Sequence, residues 1–496
     1  MNQDNLDNLN AKETQAKRNR FVNGIDNFFG ISKRKSSFKT ELIAGIITFL
    51  AMSYILVANP NILSNQYGSK MSYGAAFMAT AISACLGTLL MGLFAKLPFG
   101  LAPGMGINAF FSFTVCGAWG YSAEQALGIC ILSGLMFLII SLTPIRKIII
   151  RAIPKDLKLA IGAGIGLFIA FMGLQNSGII TANGQTQASG DILVLKGTPS
   201  IGLGNLSSPV ALLAIAGIVL SIILYALDVK FNFIISIVAI AIIGTIANYS
   251  NYFIHGTWIE NYPKFDFQGQ FKFSELTTIK DVVSRGVTSI FTDGTSFWKI
   301  SIIPAIITFL FLDIFDSIGT FIGVAQPLGL INQKGELEGA DKALISDSIA
   351  TIGGAVIGTP VVTTFLESST GIEYGGKTGF TSIVISALFA LSIPLFPLFS
   401  IFATSPAVTT MALFVLGAMM MTQLKSINWN DVAITASSFT IMIFMPFTYS
   451  ISNGIVFGFL VYVIMKVMQG KYKEVHPMMY GLFFVFSAYL IYLAII

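Results

Sequence analysis

The chain has 496 residues, of which 54% are hydrophobic and only 11% are charged. Soluble domains carry about 25% charged residues, so this composition excludes an ordinary soluble protein and indicates a polytopic membrane protein. The sequence contains no nucleotide-binding loop, no metal-ligand spacing among its three cysteines and no zinc motif. We therefore expect no enzyme activity, no cofactor, no metal site and no nucleic-acid partner.

The first 40 residues are polar and basic, without a cleavable signal peptide. By the positive-inside rule this N-terminal tail, 1–40, lies in the cytoplasm. We predict a first set of seven membrane segments over 41–249 and a polar external connection over 250–300. A second set of seven follows over 301–470, and 471–496 forms a C-terminal apolar segment.

Fourteen apolar runs are long enough to cross a bilayer of about 30 Å. They lie at 41–59, 73–95, 101–117, 123–142, 157–175, 209–227, 231–249, 301–325, 341–358, 361–375, 377–397, 402–422, 431–449 and 452–468. A last stretch, Met478 to Ile496, is either a fifteenth crossing or a helix on the membrane surface.

The two sets of seven share short sequence matches. Gly45-Ile-Ile-Thr-Phe-Leu50 opens the first set and Ala305-Ile-Ile-Thr-Phe-Leu310 opens the second. Two runs later, each set has a segment interrupted by Gly and Pro, around Pro103 and Pro360. Because seven is odd, the sets enter the membrane from opposite sides. The pattern predicts inverted repeats, in which matching broken segments mark a transport site.

Carboxylates are the candidate proton carriers, because the chain has only two histidines and both lie outside the main apolar runs. Asp313 and Asp316 lie three residues apart inside an apolar run, on one helix face. An acidic side chain at that depth of the membrane costs free energy, so its presence indicates a functional site. Glu367 follows the second broken segment and suits a planar ligand with N–H groups. We predict that Asp313, Asp316 and Glu367 take part in proton coupling.

The predicted substrate site combines acids, amides and hydroxyls from both repeats. Asn108 follows Pro103 as Glu367 follows Pro360, and Ser53 is the counterpart of Asp313 in the repeat. The predicted substrate-binding residues are Glu367, Asp316, Asn108, Thr364, Ser368 and Ser53.

Three motifs resemble those of the AzgA-like purine permeases, a branch of the nucleobase–ascorbate (xanthine/uracil permease) superfamily. They are Ala102-Pro-Gly-Met-Gly-Ile-Asn-Ala-Phe110, Phe311-Leu-Asp-Ile-Phe-Asp-Ser-Ile-Gly-Thr320 and Thr363-Thr-Phe-Leu-Glu-Ser-Ser-Thr-Gly-Ile-Glu373. The resemblance implies an all-α membrane fold of fourteen segments in a 7+7 inverted repeat, with core and gate domains. It also implies short strands in segments 3 and 10. By motif position, Glu367 holds the base and Asp316 assists.

This resemblance implies proton-coupled uptake of purine bases across the plasma membrane, with guanine or hypoxanthine ahead of adenine. The expected partners are the base, a proton and the lipid bilayer, and a homodimer is a candidate assembly. The alternative is an anion transporter or channel of the related 7+7 sulfate-permease type, for which Glu367 and Asp316 would be unfavourable. A structural or receptor membrane protein is a third hypothesis, disfavoured by the buried acids.

Overall fold

The structure is a computed structural model that describes most of the chain. The described residues are 23–65, 68–143, 154–189, 192–227, 229, 232–260, 262–263, 277–280, 282–294, 297–298, 302–325, 339–400, 405–448 and 450–495. Most of the predicted tail, over 1–40, and much of the predicted connection, over 250–300, lie outside these residues.

Helices dominate both halves of the chain. In the first half they are α1 (Phe38–Met52), α2 (Ile55–Leu63), α3 (Tyr73–Leu90), α4 (Met105–Ala109), α5 (Ala123–Leu142), α6 (Lys155–Asn176), α7 (Pro209–Ala226) and α8 (Asn232–His255). In the second half they are α9 (Arg285–Thr292), α10 (Ile302–Ala325), α11 (Ala340–Ile357), α12 (Ser368–Tyr374), α13 (Gly379–Ser392), α14 (Phe396–Ser400), α15 (Pro406–Met420), α16 (Val432–Phe447), α17 (Ile451–Met468) and α18 (Pro477–Ile495).

Shorter helical turns and strands complete the described elements. π-Helical turns extend α3 and α4 over Met91–Ala95 and Phe110–Ala118, and 3-10 turns cover Ile393–Leu395, Met421–Ser426 and Tyr472–Glu474. The strands are β1 (Leu101–Pro103), β2 (Ile180–Ser189), β3 (Ile192–Leu203) and β4 (Val362–Thr364). β1 pairs with β4 and β2 pairs with β3, both antiparallel.

Local sequence explains where several helices begin. Ser122 accepts a hydrogen bond from the Gln125 amide while the Gln125 side chain accepts one from the Ser122 amide, which forms a capping box before α5. Ser72 caps α3 and Asp431 caps α16 in the same way, through side-chain oxygens. These caps satisfy backbone N–H groups that have no partner inside the helix.

The predicted short strands in segments 3 and 10 are confirmed as β1 and β4. The apolar runs predicted over 73–95 and 123–142 coincide with helical segments, whereas those over 101–117 and 361–375 each contain a strand followed by a short helix. Among the described residues, eight helices are long and apolar enough to cross a membrane. Fourteen crossings therefore stay a prediction. The β2–β3 hairpin was not predicted and adds a small β element to a mainly helical fold.

Helix α1 is packed tightly against α12 and α13. A Cβ on Gly371 would lie 2.5 Å from the carbonyl oxygen of Ala44, and one on Gly45 would lie 2.6 Å from the Cβ of Val384. Close backbone approach of this kind is typical of helix packing in membranes. The hydrophobic effect does not drive helices together there, and small residues allow close van der Waals contact. The packing joins the first segment of one repeat to the broken segment of the other.

Glu41 of α1 adds hydrogen bonds to the packing of α1 against α13. Its carboxylate is fully buried and accepts hydrogen bonds from the backbone amides of Lys377, at 3.0 Å, and Thr378, at 3.2 Å. These amides precede α13, so Glu41 satisfies donors at the start of a helix to which it does not belong. Segments distant in sequence are thereby held in one rigid unit.

Candidate functional site

The centre of the site is the short antiparallel pairing of β1 and β4. Leu101 lies opposite Thr364, and Pro103 lies opposite Val362. Helix α4 follows the end of β1 and α12 follows the end of β4. Because the strands are antiparallel, the two short helices leave the pairing in opposite directions. The surrounding backbone is irregular, which membrane proteins tolerate only where it is buried in protein or lines a cavity.

A cavity of about 250 Å³ lies beside this pairing. Its polar lining comes from Lys158 of α6, Asp316 and Thr320 of α10, and Gln423, which follows α15. Leu366, next to Glu367, also lines it. Asp316 is exposed to the cavity and accepts a hydrogen bond from the Thr363 hydroxyl at 3.0 Å. β4 therefore positions one of the two predicted base-binding acids.

Glu367 lies between β4 and α12 and is half-buried. Its Oε1 accepts a hydrogen bond from the hydroxyl of Tyr54 at 2.6 Å. Tyr54 lies in the turn between α1 and α2, on a segment that sequence reasoning assigned no role. Glu367 follows β4, and Thr363 of β4 holds Asp316, so the two predicted base-binding acids both lie next to this strand.

Asp313 belongs to a separate, fully buried cluster. Its Oδ2 accepts from Thr351 at 3.0 Å and its Oδ1 from Ser317 at 3.5 Å. The Ser317 hydroxyl also contacts Asp347 Oδ2, and Thr364 lies 3.4 Å from Asp347 Oδ1. Asp313 and Asp316 lie on one helix, yet the former points into this cluster and the latter into the cavity.

Asp347 is a buried acid that sequence reasoning overlooked. It lies in α11, and its side chain has no exposed surface. The signal was the one that identified Asp313 and Asp316: a carboxylate within an apolar run, here 341–358. Asn59 was also overlooked, and an asparagine on a helix carries no comparable signal.

Asn108 does not reach the cavity in this conformation. It is fully buried, and its Nδ2 donates to Asn59 Oδ1 at 2.6 Å. Asn59 in turn donates to Thr80 at 2.8 Å and to Thr359 at 3.3 Å. A polar chain that includes Asn108 thus ties α4 to α2 and α3. Its interior neighbours Gly106 and Ile107 line the cavity instead.

Two predicted hydroxyl contacts serve the protein itself. The Ser368 hydroxyl accepts a hydrogen bond from the Gly100 amide at 2.9 Å and is fully buried. The Ser53 hydroxyl donates to the Leu50 carbonyl at 3.0 Å, within its own helix. Neither residue is among those that line the cavity. Of the predicted set, the structure brings Asp316 and Glu367 near the cavity. Thr364 contacts Asp347 in the buried cluster, and Ser53, Ser368 and Asn108 contact other parts of the protein.

Chemically, the arrangement offers acceptors to a small polar ligand. Ionised carboxylates accept hydrogen bonds, and protonated ones donate one as well. Four acids, Asp313, Asp316, Asp347 and Glu367, surround the β1–β4 pairing. Among the described residues no group of His, Cys, Asp and Glu could hold a metal ion.

Comparison with known proteins decides the family. The model of the xanthine/uracil permeases, described as the permease family, matches residues 39–457. The chain belongs to this family. It is therefore a transporter and not an enzyme, and its many apolar helices make it a multi-pass membrane protein.

Curated relatives in the permease family align over nearly the whole chain. The guanine/hypoxanthine permease PbuG of Bacillus subtilis (strain 168) is 38% identical over 479 residues, which cover 94% of this chain and 99% of the relative. The adenine permease AdeQ of Escherichia coli (strain K12) is 34% identical and covers 96% of both chains. The predicted resemblance to the purine permeases is confirmed.

Solved structures support the fold. The transmembrane domain of a cyanobacterium bicarbonate transporter, BicA, aligns with a TM-score of 0.54 at 16% identity, covering 86% of this permease and 96% of that chain. The murine anion transporter Slc26a9 in the inward-facing state aligns with a TM-score of 0.52 at 12% identity, covering 90% and 72% respectively. The predicted relation to the 7+7 transporter fold is confirmed by these neighbours, which at this identity carry no argument about substrate.

Proposed function

We propose that this permease imports purine nucleobases, guanine and hypoxanthine ahead of adenine, together with a proton. The observation that carries the proposal is Asp316 in the wall of the cavity, with Glu367 next to the lining residue Leu366, in a chain 38% identical to a guanine/hypoxanthine permease over nearly its full length. Purines present N–H groups on their edges, and carboxylates are suited to accept them.

Glu367 is the principal recognition residue in this proposal, and Asp316 shapes the cavity wall. Thr363 holds Asp316 through its hydroxyl at 3.0 Å, so β4 places both acids at once. Losing an acceptor would leave N–H groups of the base unpaired, at a cost of about 1–3 kcal/mol each. The proposal assigns Asn108, Thr364, Ser368 and Ser53 a supporting role, because each contacts other protein groups and none of them lines the cavity.

Proton coupling in the proposal uses acids, because His255 and His476 lie outside the site. Asp313 is buried in contact with the same hydroxyl, Ser317, as Asp347. Two buried carboxylates that share one hydroxyl donor favour the uptake of a proton, since burial and mutual repulsion both disfavour two charges. Asp316 and Glu367 are the remaining candidates on the proton path.

The location follows from the same reasoning. We propose the plasma membrane, a cytoplasmic N-terminus because residues 1–40 are basic, and an assembly that includes a homodimer. An anion as substrate is less well supported, because four acids surround the β1–β4 pairing and would repel it, whereas Lys158 is the one cation among the described residues that line the cavity.

The test is uptake of radiolabelled guanine, hypoxanthine and adenine into cells that lack their own purine permeases. We expect uptake of the first two, collapse with a protonophore, and loss in Glu367→Gln at equal membrane expression. Uptake no greater than in cells with empty vector would overturn the purine proposal. Full uptake driven by a sodium gradient alone, at equal pH on both sides, would overturn the proton part.

A further inference from the structure

Tyr54 links the first segment of the chain to the acid of the broken tenth segment. Its hydroxyl donates to Glu367 Oε1 at 2.6 Å, although the two residues are 313 positions apart in sequence. The Tyr54 side chain is only 7% exposed, and its ring centroid lies 6.4 Å from that of Phe365. Packing, rather than solvent, therefore holds the phenol where it meets the carboxylate.

The Glu367 carboxylate is not used by its own helix. Glu367 immediately precedes α12, but its side chain makes no capping hydrogen bond there. An ionised carboxylate offers about four lone-pair sites, and the Tyr54 hydroxyl occupies one of them on Oε1. In the described part of the chain, the Tyr54 hydroxyl and the backbone amide of Glu367 itself are the donors to this carboxylate, which leaves further lone pairs as acceptors for a ligand.

The framework on both sides of this hydrogen bond is rigid. A Cβ on Gly371 of α12 would lie 2.5 Å from the backbone carbonyl oxygen of Ala44 in α1, so the two helices approach each other closely. Glu41 of α1 holds the amides of Lys377 and Thr378 beyond α12. A hydrogen bond between two such fixed elements restricts the carboxylate to one orientation, as a supporting shell does in a preorganised site.

We propose that Tyr54 is a positioning residue for substrate recognition. Its hydroxyl fixes the Glu367 carboxylate so that both oxygens are presented together to two neighbouring N–H groups of a purine. This inference rests on the proposed function, since it takes Glu367 as the group that binds the base. It assigns a specificity role to a tyrosine that does not itself contact the ligand.

A comparison of guanine with hypoxanthine tests whether the Tyr54 hydroxyl orients the Glu367 carboxylate or only contributes to packing. Guanine carries two neighbouring donors, N1–H and the 2-amino group, whereas hypoxanthine has only N1–H on that edge. A carboxylate that rotates freely keeps one hydrogen bond easily and loses the second. Removal of the Tyr54 hydroxyl should therefore weaken the binding of guanine more than that of hypoxanthine. A general loss of packing would weaken the binding of both bases equally.

The variant is Tyr54→Phe, with Tyr73→Phe as the matched control. Tyr73 is half-buried, and its hydroxyl donates to the Phe399 carbonyl at 3.3 Å rather than to Glu367. We expect Tyr54→Phe to raise the guanine KM about tenfold and the hypoxanthine KM by a smaller factor. Vmax for each molecule in the membrane should stay near wild type, and Tyr73→Phe should change neither constant.

Binding to purified protein separates this inference from the proposed function. Guanine is titrated against wild type, Glu367→Gln, Tyr54→Phe and the double variant, with thermal stabilisation as the readout. Wild-type binding by Glu367→Gln would overturn the proposed site itself. If Glu367→Gln loses binding while Tyr54→Phe keeps both KM values, or raises them equally, the positioning role is wrong and the proposed function stands. We expect the double variant to match Glu367→Gln alone.

Discussion

Ser317 and Asp347 are joined by a hydrogen bond between α10 and α11, and both side chains are fully buried. The same serine hydroxyl lies 3.5 Å from Asp313. A hydroxyl has one proton and can donate to one carboxylate at a time. The helix that carries Asp316 toward the cavity is therefore tied, one residue later, to a buried acid of its neighbour.

Asp347→Ala should destabilise the protein. It leaves the buried hydroxyls of Ser317 and Thr364 without this acceptor, at a cost of about 1–3 kcal/mol for each. Asp347→Asn keeps an acceptor oxygen while removing the charge, so its melting temperature should stay closer to wild type. The measurement is the melting temperature of purified protein, with size-exclusion chromatography as the readout of unfolding. Equal melting temperatures for Asp347→Ala and wild type would show that the cluster does not support the fold.

Asp316→Asn should weaken substrate affinity. The Asn side chain keeps one acceptor but replaces the other with donors, which oppose the N–H groups of a base. Thr363→Val is the companion variant, because it removes the hydroxyl that holds Asp316 at 3.0 Å without touching the acid. We expect a clear rise in KM for Asp316→Asn and a smaller rise for Thr363→Val, measured by uptake at equal expression. An unchanged KM in Asp316→Asn would show that Asp316 takes no part in substrate binding.

Gly371→Ala should reduce both stability and transport. The added Cβ would lie 2.5 Å from the Ala44 carbonyl oxygen, which is backbone and cannot move aside cheaply. Overpacking of this kind costs about 1–3 kcal/mol. Gly353→Ala is the control, because a Cβ there meets nothing within 4 Å. Melting temperature and uptake are measured for both, and similar losses in the two variants would contradict the steric explanation.

Asp431 gives a prediction for pH. A hydrogen bond from Lys466, at 2.9 Å, holds the pKa of Asp431 below its usual value. A lowered pKa means that the folded state binds the proton less tightly than the unfolded state. The stabilisation is thus present above the unfolded pKa, near about 4, and is lost as pH falls through the folded pKa.

Asp431→Asn isolates the charge, because Asn also caps helices well and can keep the bonds to Ala433 and Ile434. We expect a lower melting temperature than wild type at pH 7, with a difference that narrows as pH falls below about 4. Thermal unfolding at several pH values checks this. A difference that stays constant across that range would show that the ion pair with Lys466 contributes nothing.

The sequence predicts those parts of the site whose residue types conflict with their surroundings. Asp313, Asp316 and Glu367 are acids in apolar runs, and Pro103 and Pro360 interrupt such runs, so all five are visible. The sequence does not single out Tyr54, because a tyrosine in a membrane segment is common and its role depends on a partner 313 positions away.

Other differences have equally physical causes. Asn108 is predicted at the ligand from its position in the repeat, and in the structure its Nδ2 donates to Asn59, a partner that the sequence does not indicate. The β2–β3 hairpin lies in a polar connection, where no strict alternation of apolar residues indicates strands. Helix bounds were predicted more closely, since an apolar run of membrane length leaves the backbone few alternatives.

The pairing of β1 with β4 also sets an order of events during synthesis. Ala102 pairs with Thr363, so 261 residues (363 − 102) separate the two strands on the ribosome. At about 5–20 residues per second, the second strand follows the first by roughly 13–50 s. Until then the polar backbone of β1 lacks its partner at membrane depth, where unsatisfied groups are costly. Nascent chains that stop before residue 340 should therefore depend on chaperones and be degraded faster than full-length chains, and equal half-lives in a pulse-chase experiment would show that β1 matures unaided.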